Sequence, residues 1–142
     1  SLAHHDCWRR VVAEQKSAIV LEDDIALSID PTTARRIIDE TLKTHDGKDI
    51  IFLGHWGLLT THAYFVTPTG ASKLLADFNV ENYRAPLPVD HHIKTLCEKG
   101  TLKYARAPDT PKTTETEFDG VIKQISTRKP GLKGRQRFTQ VQ

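Results

Sequence analysis

The chain has 142 residues, 38% of them apolar and 27% charged, which is one domain's length and enough to bury roughly two-thirds of its unfolded surface. No apolar run approaches the roughly 20 residues that span a bilayer, and Cys7 and Cys97 are too few for a disulfide framework, so the default expectation is a reducing, cytoplasmic compartment. The net charge of +2 hides an asymmetry: every Asp and Glu lies at or before Asp119, so residues 1–119 set 14 basic against 18 acidic side chains, while the remainder carries six basic ones.

Taken in chain order, His4 to Lys16 predicts a helix, because Cys7, Trp8, Val11 and Val12 recur every three to four residues. Ser17 to Leu21 reads as a short strand, apolar on both faces as in a covered sheet. It runs directly into Glu22, Asp23 and Asp24. Three adjacent carboxylates repel one another, and a bound divalent cation offsets that repulsion at the C-terminal end of a strand, where open α/β sheets take their ligands. Residues i and i+2 of an extended segment share a face, so Glu22 and Asp24 can chelate one ion while Asp23 points elsewhere. An acidic strand-to-loop turn with capping or solvated carboxylates fits the same three residues.

Asp30-Pro31 supplies an N-cap and a first-turn proline for a helix to about Thr44, with Ile37, Ile38 and Leu42 buried. Asp49 to Gly54 reads as a second buried strand, followed by a loop with His55 and Trp56. His62 to Thr67 reads as a third strand, and Thr67-Pro68 opens a helix through Leu74 and Leu75. Pro86 and Pro88 force extended geometry before a helix over Val89 to Lys99, closed by Gly100; Leu102 to Ala105 is the last predicted strand. From 108 to 142 the sequence reads as a polar, basic extension that Val121, Ile122 and Ile125 anchor locally, with the final dozen residues mobile.

Four of these stretches, in this order, resemble glycosyltransferase family 25, the lipooligosaccharide and collagen β-galactosyltransferases. The resemblance lies in Ser1-Leu2-Ala3-His4 with Trp8, in Leu21 to Asp24, in Asp49 to Gly54, and in Thr61 to Tyr64 with Gly70 to Leu75. Pro88-Val89-Asp90 follows in the expected place, and the similarity covers about Ser1 to Ala107. The family usually begins with a further strand-helix segment starting Ile-Asn-Leu-x-x-Arg, which supplies much of the nucleotide-base pocket. The chain is expected to lack that segment, as a fragment, a truncated reading frame or a reduced homologue would.

What the resemblance implies is a GT-A-like α/β fold, an open, mostly parallel sheet flanked by helices, as a single domain or part of one over residues 1–107. It also implies inverting, metal-dependent transfer of a sugar, galactose first, from a UDP-sugar to a saccharide or other hydroxyl acceptor, as in lipopolysaccharide biosynthesis. Glu22 and Asp24 would hold Mn²⁺ or Mg²⁺ with phosphate oxygens completing the shell, and His92 is a further candidate ligand. Asp23, His62, His4 and Trp56 are candidate donor contacts, Trp56 by stacking on a sugar face. Asp90 is the candidate base that takes the acceptor proton. An acidic residue in a helix's first turn is also an ordinary dipole-compensating residue.

Two other classes compete with this reading. One is an inactive homologue that keeps the fold as an interaction module. The other is a metal-dependent hydrolase, or a nucleic-acid binder using the basic tail, which would also suit a peripheral position on an anionic membrane.

Overall fold

The computed structural model of the chain describes residues 2–55, 61–78, 88–108, 119–124 and 138–141. The first helix, α1, spans Leu2–Glu14, and its buried stripe of His4, Trp8 and Val11 follows the helical repeat. It ends where Gln15 adopts a left-handed φ of 52°, with the Lys16 N–H returning to the Val11 carbonyl. Strand β1, Ala18–Glu22, follows, and after a bend at Asp23 and Asp24 comes β2, Ile25–Leu27. Helix α2, Pro31–Thr44, starts as its sequence dictates: the Asp30 carboxylate accepts from the Thr33 N–H at 2.9 Å, and Pro31 occupies the first turn.

Strands β3, Ile50–Phe52, and β4, Gly54–His55, are followed by β5, Ala63–Val66. Helix α3, Pro68–Asp77, is capped by the Thr67 hydroxyl, which accepts from the Gly70 N–H at 3.1 Å. Helix α4, Val89–Glu98, then leads through Gly100, at φ 79°, to β6, Tyr104–Arg106. Three short strands close the chain: β7, Asp119–Gly120, β8, Ile122–Gln124, and β9, Phe138–Val141.

The main sheet has the order β6-β3-β5-β1-β9. It is mixed, and the expectation of a mostly parallel sheet does not hold. Only β3 and β6 pair in parallel; β1 with β5, β3 with β5 and β1 with β9 are antiparallel. The reason lies in one connection. Ten residues separate Phe52 from Ala63, and a parallel crossover needs a dozen or more, usually with a helix, so β5 returns antiparallel to β3. Strand β5 also inserts between β1 and β3, with Val66 opposite both Ala18 and Ile50. Since β1 and β3 each oppose β5, and β6 runs with β3, the three strands β1, β3 and β6 point the same way.

Two cores cover the faces of this sheet. On one, Trp8 and Val11 of α1, Leu74 of α3 and Ile93 and Leu96 of α4 meet Val20, Phe52, Tyr64 and Val66. On the other, α2 lays Ala34, with Ile37, Ile38 and Leu42 half-buried, over Ile51, Leu53, Ala63 and Ala105. Residues beyond 107 join the same body. Val121 and Ile122 are buried in the second core, β8 pairs with β2, β7 pairs with β4, and β9 lines β1. The final dozen residues, expected to be mobile, therefore include a strand of the main sheet. The loop residue Trp56, together with Pro86 and Ile125, lies outside the described residues.

At the N-terminal ends of β3 and β6, Asp49 ties the fold together. Its carboxylate accepts from the Lys73 ammonium at 2.8 Å and the Lys103 N–H at 2.9 Å, and its carbonyl accepts from the Thr67 N–H at 3.0 Å. Gly70 leaves room for that carbonyl; a Cβ there would stand 2.3 Å from the Asp49 oxygen. Gly70→Ala should therefore destabilise by about 1–3 kcal/mol in urea unfolding, the cost of overpacking. A variant with the wild-type midpoint would show that this contact yields at no cost.

Candidate functional site at the C-terminal ends of the parallel strands

Glu22 ends β1 with its side chain on the face that carries Ala18, Val20 and the α1, α3 and α4 core, and it is 7% exposed. Its N–H donates to the His62 carbonyl at 2.9 Å, where β5 begins. Burying a carboxylate is costly unless polar groups surround it, so the neighbours of Glu22 decide what it can do. One is His4, whose Nε2 lies 3.9 Å from Glu22 Oε1. Asp23 is exposed and Asp24 half-buried, both on the bend beyond the strand. The alternation that would set Asp24 on the face of Glu22 stops at Glu22, because extended backbone ends there.

His4 is itself 1% exposed and held by a hydroxyl. Its Nδ1 lies 2.8 Å from the Tyr64 hydroxyl, which also accepts from the Trp8 indole N–H at 3.0 Å. The two rings, His4 and Tyr64, stack with centroids 5.7 Å apart. Trp8 can only donate, so within this group the acceptor for the Tyr64 proton is His4 Nδ1. The opposite tautomer would leave a buried hydroxyl proton unsatisfied, at a cost of about 1–3 kcal/mol. Burial also brings the His4 pKa down to about 3, so the ring is neutral at ordinary pH and its remaining proton sits on Nε2, facing Glu22. Burial likewise raises the Tyr64 pKa, keeping the hydroxyl protonated.

A line of rings continues from this group. Trp8 meets Phe78 edge-on at 5.6 Å, Phe78 meets His5 at 5.7 Å, and His92 stands edge-on to Phe78 at 5.4 Å. These contacts join the first turns of α4, which carry Asp90, to Phe78 at the end of α3 and through it to Trp8 of α1. Asp90 is half-buried, and its carboxylate accepts from the N–H of the next residue, His91, at 2.9 Å. His92 is engaged by Asp77, Nε2 to Oδ2 at 3.0 Å.

His62 is 2% exposed, and its Nε2 donates to the Ile122 carbonyl at 2.9 Å, so that nitrogen is committed to clasping the 119–124 segment. Gly54 permits the clasp, since a Cβ there would stand 2.2 Å from both His62 Nε2 and the Ile122 oxygen. The structure thus gathers Glu22, His4 and the neighbouring His62 backbone at one end, with Asp23 and Asp24 on the adjoining bend. Among the described residues, no three His, Cys, Asp or Glu side chains form a group that could hold a metal ion. An Mg²⁺-type ion shared with a diphosphate uses only one or two carboxylates, so Glu22 with the adjacent Asp side chains is a chemically suitable donor set.

Sequence reasoning gave no site role to Tyr64 or Trp8. A signal existed: a tyrosine on a strand buried on both faces must find a partner for its hydroxyl.

In comparisons with known proteins, no family model, curated protein or solved structure matches the chain.

The low His4 pKa fixes a pH dependence. The folded value lies below the unfolded one of about 6.5, so its contribution is complete above pH 6.5 and is lost as pH falls toward 3. Urea unfolding at pH 7 and pH 5 should show wild type losing up to about 1.4 kcal/mol per pH unit more than His4→Gln. Equal losses in the two proteins would show that His4 is not held neutral.

Proposed function

We propose that this chain is a glycosyltransferase domain that moves a sugar, galactose in the first instance, from a UDP-sugar to a hydroxyl of a saccharide acceptor, with inversion and with a divalent ion. One observation carries the reading: a buried carboxylate, Glu22, ends β1 beside two more carboxylates, where β1, β3 and β6 all terminate. Open α/β sheets bind ligands at that end, and the motif order from Ser1 to Asp90 adds the resemblance to glycosyltransferase family 25.

In this reading Glu22 and Asp24 hold Mn²⁺ or Mg²⁺ against the diphosphate, and Asp23 orients sugar hydroxyls. When bound, the ion supplies charge neutralisation for the departing diphosphate. Asp90, in the first turn of α4, takes the proton from the acceptor hydroxyl as its oxygen attacks the anomeric carbon. Its hydrogen bond to the His91 N–H holds the carboxylate in the first turn without using both its oxygens.

Calorimetry with UDP and Mn²⁺ should show binding that Asp24→Asn abolishes. Unchanged affinity in that variant would remove the metal role, and no binding by the wild type would favour an inactive interaction module. Where transfer is measurable, Asp90→Asn should lower kcat by roughly 10² while leaving UDP affinity unchanged. Normal turnover in that variant would leave the base elsewhere.

A further inference from the structure

We propose that His4 is a positioning residue for Glu22, with the Tyr64 hydroxyl locking the imidazole so that its Nε2–H is presented to the carboxylate and keeps it in one orientation when a ligand arrives. The inference deepens the reading of Glu22 as a metal and diphosphate residue, and it rests on that reading.

The geometry supports a role beyond packing. His4 sits on the stripe of α1 that also buries Trp8 and Val11, where an apolar side chain of similar size would need no partners. Instead both ring nitrogens have polar neighbours, the Tyr64 hydroxyl 2.8 Å from Nδ1 and Glu22 Oε1 3.9 Å from Nε2. At 3.9 Å the contact is an electrostatic attraction between the N–H and the carboxylate rather than a hydrogen bond, and it favours the orientation that turns Oε1 toward His4. Partners that orient a metal-binding side chain in this way change metal affinity 10- to 100-fold when removed. Trp8 completes the chain by donating to Tyr64, which holds the hydroxyl proton toward His4. Two elements, α1 with His4 and Trp8 and β5 with Tyr64, thus bear on the single carboxylate that ends β1.

The test uses the full chain, nitrogen NMR of the histidine rings, and titration with Mn²⁺ and UDP. Wild-type His4 should carry its proton on Nε2 and none on Nδ1. His4→Gln, which retains an N–H near the Nε2 position, should bind Mn²⁺ with UDP within a few-fold of wild type, whereas His4→Leu, which fills the space without an N–H, should bind roughly 10- to 100-fold more weakly. Tyr64→Phe should release the tautomer and weaken binding in the same direction, and it carries the comparison if His4→Leu does not fold. An Nδ1–H tautomer in the wild type, or His4→Leu binding as tightly as wild type, overturns the role of His4 alone. A wild type with the Nε2–H tautomer that binds neither Mn²⁺ nor UDP overturns the functional reading and this role with it.

Discussion

The insertion of β5 between β1 and β3 is the constraint on which the other features depend. It separates the two strands that α2 connects, forces the sheet to be mixed, and sets Tyr64 on the face covered by α1. With Tyr64 there, its hydroxyl needs polar partners inside an apolar core, and His4 and Trp8 of α1 are the partners that meet it. The start of β5 also meets the end of β1, where the His62 carbonyl accepts from the Glu22 N–H. The acidic end of β1 is therefore built by the strand beside it.

The opposite end of the sheet works differently. Asp49 is also a buried carboxylate, but the Lys73 ammonium and the Lys103 N–H hold it closely, and Gly70 packs on its carbonyl. Such a carboxylate is committed to joining β3, α3 and β6. Glu22 faces a neutral imidazole at 3.9 Å instead, and two further carboxylates follow it in the chain.

Helices were the most legible part of the sequence. Asp30-Pro31 and Thr67-Pro68 marked two starts because capping and proline geometry are local, and Gly100 marked a stop for the same reason. The strands at Ala18–Glu22, Ile50–Phe52 and Ala63–Val66 were legible as buried segments, but their pairing was not: an apolar run carries no sign of direction, which the length of the 53–62 connection decides. Strands β2, β7, β8 and β9 went unseen, since runs of two to four residues are too short to show a period and pair only through long-range partners. At the site, the acidic triplet was plain in the sequence and Glu22 does end a strand. That β1 stops at Glu22, before the bend of Asp23 and Asp24, was not legible, because where a strand stops depends on its neighbours. The link from Glu22 to His4, and from His4 to Tyr64, joins residues up to 60 positions apart and has no local signature.

The central claim is that the end of the sheet carrying Glu22, Asp23 and Asp24 is the ligand end. Backbone NMR of the full chain with Mg²⁺ and UDP added tests it most directly. The account predicts that the amides of His4, Glu22, Asp23, Asp24 and His62 shift on addition while those of Asp49, Lys73 and Lys103, at the other end, stay in place. Shifts concentrated around Asp49, or confined to surfaces away from β1, would contradict it.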